Sequence, residues 1–339
     1  MRQRRRGGVP DANKMVQRPG RRAAADSCHA GARRTHVPHG LALAHHQYAA
    51  RGCCALRPGS GQTLQGQLKI QLYPDAQLGD IQAEVTGVQT GTIDMAYLGV
   101  GNAAVLKGGG ALNVVYVPFL FKNRQVVPEI VNSPLFQEFY DSLAKESNVR
   151  VFASYGSRLP RACNTVKGPI IKPADLKGLK MRVPPVELMR ATWEKLGTKP
   201  VVMGLGDIYM ALSRGQIDGQ ENGIDAIVGY KWYEVTKFYS PLGQTFEVAS
   251  YYISEKIWQT LSPAEKDILV RAAKLGGESM TKAGDDLEKQ GLEAMKQHGI
   301  TISEPDIEAF KEALKDVYKP YEGKLWPAGL VDKIRAMQK

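Results

Sequence analysis

From Gln67 onward, short apolar runs alternate with amphipathic stretches. Leu68, Ile70 and Leu72 alternate with Lys69 and Gln71, which predicts a strand with one buried face, ended by Pro74 and Asp75. Ile81, Val85 and Val88 recur at helical spacing up to Gly91, and 93–98 reads as a short buried strand. A second apolar run, 114–121, follows as a further strand. A helix is predicted over 124–145, with Val127, Ile130, Val131, Leu135, Phe139 and Leu143 facing inward. Strands follow over 149–155, 161–166 and 179–183. Met189, Trp193 and Leu196 mark one helix face, closed by Gly197, before a strand over 200–203. Asp207 caps a short helix ending at Gly215, and 217–220 is a short strand. Strand and helix alternate throughout, which predicts an α/β fold with a largely parallel sheet.

Ser262-Pro263-Ala264-Glu265 is a helix start: a capping serine, proline at the first helical position and a glutamate that completes a capping box. Helix-forming sequence then continues to His298, a run of about 54 Å at 1.5 Å per residue. A helix of that length must bridge two lobes or bend at Gly276-Gly277. No Ser- or Pro-rich linker separates the lobes, so the chain is expected to cross between them more than once. Beyond it, after 301–303, the segments 305–318 and 330–337 read as helices.

Composition changes this picture only at the start. The net charge of +11 in 339 residues is concentrated in residues 1–65, which hold 12 Lys+Arg against 2 Asp+Glu; the remainder holds 33 against 32. A nucleic-acid face over the whole protein is therefore excluded. The first 65 residues lack apolar periodicity and read as a basic tail that cannot bury enough surface to offset its ordering entropy. Arg2, Arg4, Arg5 and Arg6 could instead form an anion-binding patch. Cys28, His29, His36, His39, His45, His46, Cys53 and Cys54 could bind a metal, although their spacings fit no usual zinc pattern. No intact signal peptide is visible, because His45 and His46 interrupt the best apolar core.

Candidate chemistry points to binding rather than catalysis. The globular part holds one histidine, His298, at a helix end, so a Ser or Cys nucleophile has no base. No metal cluster and no phosphate loop is present in the pattern, so no cofactor is expected. Gly99-Val100-Gly101-Asn102-Ala103-Ala104 loosely fits a dinucleotide fingerprint, which keeps an NAD(P)-dependent oxidoreductase as the alternative. Cys163 reads as a small buried apolar residue. Arginine is scarce after residue 65, with nine copies. Arg182 lies in a strand-like run stopped by Pro184, at what reads as a sheet edge, and its planar fork suits a carboxylate. Asp218-Gly219-Gln220-Glu221-Asn222 reads as a polar loop at a strand end, and Arg158 closes another strand.

These segments carry a resemblance. Gln71-Leu72-Tyr73-Pro74-Asp75-Ala76-Gln77-Leu78-Gly79-Asp80, Gly91-Thr92-Ile93-Asp94-Met95, Leu176-Lys177-Gly178-Leu179-Lys180-Met181-Arg182-Val183-Pro184, and Gly219-Gln220-Glu221-Asn222 occur in order. Over about residues 66–335 the chain resembles the DctP-type extracytoplasmic solute receptors of TRAP transporters. The resemblance implies a two-lobe, periplasmic-binding-protein-like α/β fold with crossing strands and a long helix spanning both lobes. It implies residues 1–40 as a tail, 41–155 with 248–285 as the first lobe, and 156–247 with 286–339 as the second. It implies a monomeric, non-enzymatic, periplasmic protein that binds a small carboxylate and hands it to the small and large permease subunits. Arg182 would clamp the carboxylate, Asn222 and Arg158 would assist, and Tyr97, Pro185, Leu205 and Gln244 would line the cleft. Gly223 stands where the family usually has Pro, and Pro185 and Gly99 where some members carry polar or acidic side chains, which implies a smaller or more apolar ligand. The abrupt shift in Arg, His and Cys use suggests that much of 1–65 is translated out of frame or from a wrong start.

Overall fold

The computed structural model describes residues 40–45, 68–73 and 76–338. The basic tail, its Cys and His residues and the frame-shift reading of 1–65 lie outside these, apart from the strand at 40–45.

That strand, β1 (Gly40–His45), pairs in parallel with β2 (Lys69–Tyr73). Helix α1 (Ile81–Thr90) follows; the Asp80 carboxylate accepts from the Ala83 N–H at 2.8 Å, and Gly91 ends the helix at φ 80°. Then come β3 (Met95–Gly99), helix α2 (Pro134–Ser147) and β4 (Val149–Ser157). The helix expected over 124–145 is split, with a separate turn at Val127–Val131. Pro134 is the cause: it fits a first helical position and leaves the extended Ser133 before it. The apolar run at 114–121 is no strand; Gly110–Tyr116 is a buried 3-10 turn.

The second half holds β5 (Arg161–Thr165), β6 (Lys180–Val183), helix α3 (Glu187–Lys195), β7 (Lys199–Val202), helix α4 (Ile208–Ser213), β8 (Gly219–Gly223), helix α5 (Ile224–Gly229) and β9 (Phe238–Ser240). The chain then returns as β10 (Val248–Ser254), forms the long helix α6 (Pro263–Gln297), and ends with β11 (Thr301–Ile302), α7 (Ile307–Leu314) and α8 (Leu330–Ala336).

Two sheets result, in the orders β2-β1-β3-β10-β4 and β11-β9-β5-β8-β6-β7. In the first, β10 alone opposes its neighbours β3 and β4. In the second, β5 alone opposes β8 and β9. Each reversed strand enters its sheet directly from a strand of the other sheet, β5 from β4 and β10 from β9, with no helix between.

Helix α6 runs unbroken for 35 residues through Gly276-Gly277, its capping box closed by Glu265 Oε2 accepting from the Ser262 N–H at 2.8 Å. Its first half packs Leu269, Ala272 and Met280 on the first sheet, and its second half packs Met295 with Ile224 and Trp232 against the second. Gly277 is a packing device: a Cβ on it would stand 2.5 Å from the Tyr155 carbonyl carbon and 2.7 Å from the Gly156 nitrogen. The opposite face of the first sheet packs on α1, α2 and the C-terminal segment, including Tyr318, Trp326, Leu330 and Ile334. The stretch from Tyr318 thus packs with the first sheet, whereas Met295, Ile300, Phe310 and Leu314 pack with the second, where the sequence reading put all of 286–339. Cys163 is fully buried with Met181 and Trp193, and burial pushes its thiol pKa up.

Candidate functional site

The parallel strands β6 and β7 end at Val183 and Val202, and Pro184 and Met203 just beyond them face the start of α1 and the turn after β3. Between them lies a cleft of about 590 Å³, lined on one side by Gly79, Ile81 and Asn102 and on the other by Arg182, Pro185 and Leu205. Carboxyl ends of parallel strands are where open α/β sheets bind ligands.

Arg182 sits on β6 opposite Val201 of β7 and Gln220 of β8, so its strand is interior and not the edge expected from the sequence. Its neighbours on β6 turn to the opposite face: Met181 and Val183 pack with Trp193, which leaves Arg182 on the cleft side. It is 3% exposed, and Nε and Nη2 both donate to the Met203 carbonyl, at 2.9 and 2.8 Å. That pair of bonds fixes the plane of a guanidinium that cannot shed its charge.

Where the chain crosses between sheets, a second group of charges is buried. Glu247 Oε2 accepts from Arg158 Nη1 at 2.6 Å and from Arg161 Nη1 at 2.7 Å. Arg161 also makes a two-pronged pair with Glu221, Nε to Oε2 at 2.5 Å and Nη2 to Oε1 at 2.7 Å. Gln244 Nε2 donates to Glu221 Oε2 at 3.1 Å, and Arg158 Nη2 donates to Asn222 Oδ1 at 3.2 Å and reaches Asp225 Oδ2 at 3.5 Å. Burial alone would raise the Glu247 pKa, but Arg161 and Arg158 outweigh it and hold the carboxyl below its ordinary range. The same acids hold the Arg161 pKa above its ordinary value. A Cβ on Gly223 would stand 2.1 Å from Asp225 Oδ1 and 3.0 Å from the Leu159 carbonyl oxygen, so a larger residue there would require the Asp225 carboxylate to shift.

Of the residues singled out from the sequence, Arg182, Pro185 and Leu205 meet in the cleft. Asn222, Gln244 and Arg158 gather in the buried charge group behind it, and Arg158 also borders a separate cavity of about 360 Å³ beside α5 and α6. Tyr97 is elsewhere. Strand alternation puts it with Met95 under α6, where its hydroxyl donates to Met280 Sδ at 3.2 Å and its ring lies 4.3 Å from Tyr251. Arg161, Glu221, Glu247 and Asn102 were missed. The signal was the polar run Gln220-Glu221-Asn222, which is a buried central strand and not a loop.

The dinucleotide reading fails on geometry. Val100–Val105 is six residues of 3-10 helix, without the α-helix N-terminus a pyrophosphate needs. Among the described residues no group of His, Cys, Asp and Glu could hold a metal, and no helix is long and apolar enough to cross a membrane.

Comparison with known proteins supplies the context. The model of bacterial extracellular solute-binding protein, family 7 (DctP), matches residues 60–324. The sialic acid-binding periplasmic protein SiaP of Vibrio cholerae is 30% identical over 276 residues, covering 80% of this chain and 84% of its own. The 2,3-diketo-L-gulonate-binding periplasmic protein YiaO of Escherichia coli is 30% identical over 273 residues, covering 80% and 82%. A crystal structure of a TRAP periplasmic solute-binding protein from Polaromonas sp. JS666, bound to D-erythronate, superposes with a TM-score of 0.81 at 24% identity, covering 88% of this chain and 99% of that one.

Proposed function

This chain belongs to bacterial extracellular solute-binding protein family 7, the DctP receptors of TRAP transporters, and from that premise we propose how it captures its solute and to whom it delivers it. The ligand is a small organic acid whose carboxylate is held by Arg182 in the cleft between the two sheets. Pro185 and Leu205 shape the wall around it, and Arg158 and Gln244 from the crossing segments, with Asn222 on β8, support the site. Two relatives at 30% identity are named for binding acids, sialic acid and 2,3-diketo-L-gulonate. The observation that carries the reading is the buried, carbonyl-braced guanidinium of Arg182, the one cation among the described residues that line the cleft.

In this reading residues 41–155 with 248–285, joined by the C-terminal segment, form one lobe, and the second sheet forms the other. The protein works as a periplasmic monomer without catalytic chemistry, cofactor or nucleic acid. It closes on the acid and presents the closed form to the small and large permease subunits.

Isothermal calorimetry against C4-dicarboxylates, sugar acids and 2-oxo acids tests it. Arg182→Ala removes one half of a buried charged pair, a loss of about 2–5 kcal/mol or roughly 30- to 4000-fold in affinity. Unchanged affinity in that variant rejects the assignment.

A further inference from the structure

We propose that the cleft selects an acid carrying one negative charge on a compact, mainly apolar body, such as a branched 2-oxo or 2-hydroxy monocarboxylate. This rests on the receptor reading above and names the class of acid within it.

The first ground is the charge on the cleft wall. Among the described residues, the charged side chains lining it are Arg182, Asp80 and Asp207. Asp80 is tied to the Ala83 N–H as the cap of α1, and Asp207 is exposed at the rim. One carboxylate of a ligand answers Arg182; among these residues a second finds acids.

The second ground is the fate of the other arginines that the fold brings near. Arg158 and Arg161 are buried and shared among Glu247, Glu221 and Asp225, two formal positive charges against three negative. Their charge is already balanced within the protein, so neither adds net positive charge for a second carboxylate. Glu247 itself stands just behind the wall. Its Oε1 is 3.6 Å, and the amide nitrogen of the cleft residue Asn102 3.5 Å, from the point where a Cβ on Gly99 would lie. With both arginines beside it Glu247 stays ionised, so an anionic group pushed past Asn102 meets a fixed negative charge in a low-dielectric surround.

The third ground is the apolar part of the surface, which outweighs the uncharged polar side chains Gln82, Asn102 and Tyr230. Ile81, Val105, Pro184, Pro185, Val202 and Leu205 face the cleft. Val105 and Val202 are 47% and 52% exposed, which places open apolar surface where a ligand body would lie. Any hydroxyl of a polyhydroxylated acid that faces these side chains would be left unpaired.

The test is calorimetry on the full chain with pairs of acids matched in carbon number: 2-oxoisovalerate against 2-oxoglutarate, and 2-hydroxybutyrate against malate, with gluconate as the polyol. The monocarboxylates are expected to bind about tenfold or more tightly than their partners, a factor equal to about 1.4 kcal/mol. Asp207→Asn and Glu247→Gln each remove a negative charge, so each should narrow that ratio. Asp207→Asn does so without touching the buried network, which separates selectivity from folding. Dicarboxylates that bind as tightly as the monocarboxylates, or gluconate that outbinds the aliphatic acids, would overturn the proposal and leave the receptor reading intact. If none of the acids binds, the receptor reading falls and the proposal with it.

Discussion

Glu247 accepts from two guanidinium groups at once, and each of these is held again by another acid. Removing one member strands the rest without water. Arg161→Ala, which leaves Glu221 uncompensated, is expected to cost about 3–5 kcal/mol, read as a lower midpoint in urea unfolding. Arg161→Met combined with Glu221→Leu should recover much of that loss, because apolar side chains of similar volume leave less charge stranded. Acid acts on the same network: the folded Glu247 pKa is depressed, so its contribution is complete above the unfolded carboxylate value and is lost as pH falls through the folded one. Glu84 behaves in the opposite sense. It is fully buried on α1, neither carboxylate oxygen has a hydrogen-bond partner, and burial, with the nearby Asp80 charge, pushes its pKa up to about 8. Its folded form keeps the proton while the unfolded chain releases it, so stability is full below the unfolded value and falls as pH rises toward 8. Glu84→Gln should therefore raise the thermal midpoint at pH 8 and change it little near pH 4.5.

Among the elements, α6 has the sharpest test. Gly→Ala in an exposed helix interior normally stabilises by about 1 kcal/mol. At Gly277 the added Cβ would strike backbone atoms of Tyr155 and Gly156, which cannot swing aside. Gly277→Ala is therefore expected to destabilise by about 1–3 kcal/mol in denaturant titration, the reverse of the propensity rule. The start, length and two-lobe reach of this helix were legible in Ser262-Pro263-Ala264-Glu265 and the helix-forming run behind it; the role of its glycines was not, because packing partners more than a hundred residues away leave no local pattern. The same limit explains β8. Gln220, Glu221 and Asn222 look like a loop because nothing nearby in sequence reveals that Arg161 and Arg158 will answer two of them in the interior. Arg182 was legible because the proline behind it and the apolar residues beside it fixed its strand. Tyr97 was misplaced because period-two alternation in a strand buried on both faces does not say which face meets the cleft.

Over the whole molecule, the two sheets are joined by the short crossing at residues 158–160, the longer one at 241–247, and α6. If the lobes close on the acid about these crossings, small-angle X-ray scattering should record a smaller radius of gyration with saturating ligand. Arg182→Ala should show no such change at the same concentration.

The exchange of strands has one more consequence. The centre of the first sheet is filled by β10, and β5, between β9 and β8 in the second, arrives from the first. A ribosome that has delivered every residue as far as Ser240 has made most of both halves and completed neither, so the nascent chain must stay open until residues 248–254 emerge. Cutting the gene at either crossing should yield fragments with a slot down the middle of a sheet, not two independent proteins.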